Sequence, residues 1–231
     1  MITATGVLLI VLPLAFNAAF AALGARFDYP GILRRPTAEI LARFRAGGAS
    51  LVLLWWAFAM TAVLLAPTVV LLSAALPGAA PALTGTATAI GLLAALVQFL
   101  GLMRWPFLVP LLAREDADPD ASPARREAID IVFQAFHRYL GVAVGEHLGY
   151  LLTGAWTVLV GVAVVSSGPL PGWVGIAGIA VGGVLALCAL EFVGPFEEHG
   201  WRLAGAVVPF AYLAWSLWLM VTGVTLLATG P

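Results

Sequence analysis

Residues 141–165 read GVAVGEHLGYLLTGAWTVLVGVAVV, an apolar stretch whose only acidic or basic side chains are the adjacent Glu146 and His147. At about 1.5 Å per residue, a helix of this length is long enough to cross the roughly 30 Å hydrocarbon core of a bilayer. Successive residues of an α-helix are about 100° apart, which gathers Glu146, His147, Tyr150, Thr153 and Thr157 within about a third of the circumference. Ala143, Gly154 and Gly161 join that stripe, while Val144, Leu148, Leu151, Leu152, Leu159 and Val162 take most of the remainder. A charged side chain turned toward lipid at mid-bilayer costs at least about 2.5–3.5 kcal/mol on insertion scales, so the polar stripe is expected to face other helices. Gly141, Gly145 and Gly149 add a ridge of small residues beside it, where a further helix can approach closely, from this chain or from a partner in a homo- or hetero-oligomer.

The rest of the chain has the same character. Its 231 residues are 62% hydrophobic and 10% charged, with a mean hydropathy of +1.03, against about 45–50% apolar and about 25% charged in soluble domains. A water-soluble domain is excluded. Five more long apolar runs, near 6–23, 50–76, 89–112, 173–193 and 203–227, bring the expected spans to six. The predicted class is therefore an all-α integral membrane protein, a bundle of about six transmembrane helices forming one membrane domain over residues 1–231. Its surroundings are membrane lipids, and the net charge of -1 offers no basic surface for nucleic acid. Met1–Phe16 has no basic residue, so the first run is expected to stay in the mature protein rather than be removed as a signal peptide. The lone Cys188 sits in an apolar run and reads as a small core residue.

Charge then orients the bundle. All cations are arginine: five lie between Gly24 and Ala49, five from Arg104 to Leu140, and the last is Arg202. The connections 77–88 and 166–172 carry no charge. Because the arginines follow only odd-numbered spans, the positive-inside rule places loops one, three and five in the cytoplasm and both termini outside. The expected location is the bacterial cytoplasmic membrane. Trp105 and Trp201 at inner ends and Trp173 at an outer one fit interfacial aromatic belts. Two amphipathic segments are expected beneath the bundle. Residues 37–45 place Ile40, Leu41 and Phe44 on one side and end at Gly47-Gly48; residues 123–140 start with Ser122 as N-cap and Pro123 at the first helical position.

Counted from the cytoplasmic ends, Asn17, Arg104, Glu146, His147 and Glu191 fall at similar depth. With Tyr150 and Thr153 they form the candidate intramembrane polar site. Arg104 is the expected counter-ion of Glu146 or Glu191, and the other carboxylate pairs with His147 or takes up a proton. Two readings stay open: a pocket for a small ligand or ion, and a satisfied network that fixes helix register.

Other motifs point away from familiar chemistry. His137 and His147 are about 15 Å apart along a continuous helix, too far to share one metal within a subunit, and neither they nor His199 stand in a metal-ligand spacing. No metal or other cofactor is predicted. DADPDASPARRE puts Asp116, Asp118, Asp120 and Glu127 at calcium-loop positions, but Ala121 replaces the required Gly and two prolines interrupt it. No nucleophile elbow, P-loop or dinucleotide fingerprint occurs. Gln98–Gly101 (QFLG) and Glu191–Gly194 (EFVG) form a short echo between two spans running the same way.

Three stretches carry a resemblance: FDYPGILRRPTAEILARFRAGG (Phe27–Gly48), RWPFLVPLLA (Arg104–Ala113) and FHRYLGVAVGEHLGYLLTGAWT (Phe136–Thr157). Through them the chain resembles a bacterial multi-pass membrane family catalogued as domain of unknown function 4386. The resemblance implies an all-helical membrane protein and brings no activity, cofactor or catalytic residue. The expected function is a small-ligand or ion-responsive transporter or sensor built on the polar cluster. The alternatives are an accessory subunit of a membrane complex, or an enzyme acting on a lipid.

Overall fold

The structure, a computed structural model, describes residues 1–167 and 170–229. Among them, six helices are long and apolar enough to cross a membrane, corresponding one to one with the expected spans. In chain order these are α1 (Ile2–Phe27), α2 (Thr37–Ala74), α3 (Pro81–Phe107) with its continuation α4 (Val109–Asp116), α5 (Pro123–Phe136) leading through a π-helix (His137–Leu148) into α6 (Gly149–Ser167), then α7 (Gly172–Cys188) and α8 (Arg202–Thr229). Short 3-10 turns at Gly31–Arg34, Ala189–Phe192 and Gly194–Phe196 shape the charged connections. The protein is an all-α, multi-pass membrane protein.

Local chemistry explains the boundaries. Asp28 ends α1 in the left-handed region at φ 59°, a conformation that Asp tolerates better than most residues. The amphipathic segment and the second span form one helical run that breaks its geometry only at Gly48, with φ 56°. Ser122 caps α5, its hydroxyl accepting from the Arg125 N–H at 3.2 Å. The third span starts earlier than expected, at Pro81 rather than near residue 89, because Pro suits the first helical turn. Thr86 and Thr88 each donate back to the carbonyl four residues earlier at 2.8 Å, so these polar residues enter an apolar helix satisfied.

The spans close into a ring in the order α1, α2, α3, α6, α7, α8, with α8 returning to α1. The charged connections gather at one end. Thr37 bonds the Asp130 carboxylate, Gln134 donates to Thr37 at 2.9 Å, and Arg138 donates to the Glu197 carbonyl at 3.0 Å. Residues 168 and 169 of the neutral 166–172 connection lie outside the described residues.

Two cores fill the ring. In the half nearer the neutral connections, Leu9, Leu72, Trp156, Trp215, Trp218 and Leu226 belong to one cluster. There α6 and α7 meet backbone to backbone: a Cβ on Gly154 would lie 2.5 Å from the Gly182 carbonyl oxygen, and one on Gly161 would lie 2.6 Å from that of Gly175. Trp215 donates to Thr157 and Trp218 to the Val174 carbonyl, both at 2.9 Å. In the charged half, Phe27, Phe44, Trp55 and Trp105 form an aromatic cluster, with Trp55 and Trp105 stacked at 4.4 Å. α5 covers it with Ile129 and Phe133. That second core fills only the α1–α5 side of its half.

Candidate functional site

On the other side of the charged half, α1, α2, α3, the π-helix, α6 and α8 enclose a cavity of about 200 Å³. Its wall is largely aromatic, with Phe16, Phe20, Tyr29, Phe58, Tyr150 and Tyr212. Its polar groups are Asn17, Gln98, Arg104, Glu146 and the three phenols. Four of the seven expected site residues thus line one space: Asn17, Arg104, Glu146 and Tyr150.

The expected ion pair does not form. Among the described residues, no carboxylate oxygen lies within 4.0 Å of the Arg104 guanidinium, and Glu146 has no cation within that distance. Arg104 is buried, at 9% exposure. It bonds the Gly101 carbonyl of its own helix, reaches His137 Nδ1 at 3.5 Å and lies 5.3 Å from the Trp105 ring centre. A Cβ on Gly141 would stand 2.6 Å from Arg104 Nη2, so the absence of a side chain there makes room for the guanidinium. His137, which sequence reading considered only as a metal ligand, is a neighbour of the central cation.

The remaining expected members do not line the cavity. His147 Nδ1 meets the Ala189 carbonyl at 2.7 Å, tying the π-helix to the turn after α7. Thr153 accepts from Gln98 at 3.0 Å. Glu191 packs against Gly205 of α8, and its backbone carbonyl accepts from the Trp201 N–H at 2.6 Å. Neither Glu191 nor His147 pairs with Arg104 or Glu146, which corrects the expected cluster. Two things account for this: adjacent side chains of a helix, the π-helix of His137–Leu148 included, point in different directions, and Glu191 lies past the end of α7 in a 3-10 turn. Glu146 and Tyr150 share the cavity while the intervening His147 turns outward to α7. The QFLG and EFVG echo also dissolves: the first lies within α3, the second in a 3-10 turn and a break where Gly194 has φ 63°.

The glycine ridge has an occupant within the chain. A Cβ on Gly101 of α3 would lie 2.6 Å from the Gly145 Cα, and one on Gly149 would lie 3.2 Å from Gln98. With Gly141 against Arg104, all three ridge glycines receive α3. The DADPDASPARRE stretch likewise has its own pairing: Arg125 donates to Asp118 at 2.9 Å and pairs with Glu115.

The supporting polar groups limit what the cavity can offer. Asn17 donates through its amide nitrogen to the Pro13 carbonyl at 2.7 Å and to Ser216 at 2.9 Å, so its carbonyl oxygen is what remains. Gln98 donates to Ala94 and Thr153 and is left with the same group. Burial, aided by Glu146, pushes the Tyr29 phenol well above its ordinary range, so it stays neutral and able to donate. Tyr29, Phe58 and Tyr212 were not singled out in the sequence, and Gln98 entered only through the QFLG echo. The Tyr29 position is visible only as part of the Phe27–Gly48 stretch, and the other three are ordinary residues of apolar spans.

Comparison with known proteins adds a family and no activity. Neither curated proteins nor solved structures gave a match. The family model described as domain of unknown function, DUF4386, matches residues 4–223, nearly the whole chain, and the protein belongs to that family.

Proposed function

We propose that this chain is a small-ligand transporter or sensor of the bacterial cytoplasmic membrane, with the cavity beside Arg104 and Glu146 as its binding site. One observation carries the reading: two ionisable groups of opposite sign line the same cavity without touching. A pair serving only to fix helix register gains most in direct contact, since a buried ion pair compensates its desolvation only with close geometry and further hydrogen bonds. Here the charges border open volume instead. An aromatic wall with a few convergent polar groups is the usual make-up of a small-molecule site. The volume lies below the roughly 300–1,000 Å³ of sites for drug-sized molecules, which favours a small ligand. The arginine-rich end is assigned to the cytoplasm by the positive-inside rule, which puts the cavity in the inner half of the bilayer.

The test is chemical access. Leu102 lines the cavity, and Leu102→Cys in a Cys188→Ala background should react with a membrane-impermeant thiol reagent in inverted vesicles. Adding Val208→Phe, which narrows the same space, should slow that reaction. No labelling from either side of the membrane would mean a closed void and would remove the basis for a site.

A further inference from the structure

Taking the cavity as a ligand site, we infer that its ligand is a small zwitterion, with its anionic group at Arg104 and its ammonium group at Glu146. Each of the two groups lines the cavity without an oppositely charged partner within 4.0 Å among the described residues. A guanidinium stays charged at any physiological pH, and the groups bonded to Arg104, the Gly101 carbonyl and His137, bring no formal negative charge. Glu146 accepts no hydrogen bond from any described residue and has no cation within 4.0 Å. An anion alone would complete Arg104 and be repelled by Glu146; a cation alone would do the reverse. A neutral solute would leave both charges desolvated and unanswered. A molecule with opposite charges a few bonds apart answers both.

The wall agrees with that division. Tyrosine and phenylalanine faces attract an ammonium group through their quadrupoles and give an apolar body a surface to pack on. Tyr29 adds a neutral hydroxyl beside the two charges. Such a zwitterion has two natural sources, a free amino acid or an ammonium-bearing phospholipid headgroup. The second would enter beside Leu213, which lines the cavity and is also half exposed.

The experiment uses three matched probes on the full-length, delipidated protein: L-phenylalanine, 3-phenylpropionate and phenethylamine, titrated calorimetrically. Each lost charge-assisted hydrogen bond is worth about tenfold or more in affinity. Phenylalanine should therefore bind at least about tenfold tighter than either single-charge analogue. Glu146→Gln, checked for an unchanged unfolding temperature, should reduce phenylalanine to the affinity of 3-phenylpropionate. In nanodiscs, native mass spectrometry should show phosphatidylethanolamine retained over phosphatidylglycerol, with the preference lost in Glu146→Gln, if the headgroup is the source. Either the free-ligand or the lipid result sustains the inference. If 3-phenylpropionate or phenethylamine binds as tightly as phenylalanine, the zwitterion is wrong and the ligand site stands. If no probe binds and the two lipids are retained equally, the zwitterion is overturned; an unreactive Leu102→Cys would then remove the site as well.

Discussion

The two halves of this bundle solve the same packing problem in opposite ways. In the neutral half, glycines bring α6 and α7 into backbone contact, and buried tryptophan N–H groups find acceptors at 2.9 Å. In the charged half, the aromatic cluster continues from Trp55 through Tyr29 and Phe58 to the wall of a cavity that stays open, lined also by Arg104 and Glu146. Even the cluster is less complete: Trp55 Nε1 is the one buried side-chain nitrogen or oxygen without a hydrogen-bond partner among the described residues. Lipid supplies no hydrophobic drive for helices to associate, so contact density and hydrogen bonds determine how rigid each half is. The comparison separates a closely packed half from one that keeps a cavity.

Substitutions should sort the same way. The largest effect is expected from Gly154→Val, whose Cβ meets backbone atoms of α7 at 2.5 Å. Nothing there can rotate aside, and the folded, monodisperse protein should be lost on size-exclusion chromatography. Trp218→Phe comes next. Removing the indole N–H loses its bond to the Val174 carbonyl and the smaller ring leaves a void, so unfolding in detergent should show a loss of about 1–3 kcal/mol. If that substitution cost no more than a cavity substitution, the rigid half would be no more rigid than the other.

Across the boundary, Glu146→Gln is nearly isosteric and breaks no protein ion pair. It should change stability by less than about 1 kcal/mol while altering binding. A large loss of stability would identify Glu146 as a structural group and undo the contrast. Val208→Phe should also leave stability within about 0.5–1 kcal/mol, because the added ring enters open volume. Arg125→Ala, on the exposed third loop, should leave the unfolding temperature unchanged, since surface ion pairs contribute little.

How much of this was legible beforehand differs between the halves. Ser122 with Pro123 announced the start of α5, and Gly47-Gly48 marked the break in α2 where Gly48 takes a positive φ. Both are local signals written in single residues. The candidate site was readable only in part. Asn17, Arg104, Glu146 and Tyr150 were expected to converge and do. Glu191 and His147 were expected beside them and instead hold α8 and the turn after α7. Both errors came from letting similar depth stand for a shared facing: His147, adjacent to Glu146, points away from it, and residue 191 lies past the end of α7. The phenols of Tyr29 and Tyr212 carry no helical pattern that distinguishes a wall from a core.

The sequence by itself determined that six apolar segments occupy a membrane and that their charged connections alternate with neutral ones, because transfer free energy and charge distribution are properties of short segments taken one at a time. Only the tertiary structure decided that Arg104 and Glu146 border a space rather than meet. That outcome depends on how Gly101 and Gly145 let α3 approach the π-helix, and on where the π-helix turns each side chain. Whether groups 42 residues apart in the chain touch is a property of that packing and of no single segment.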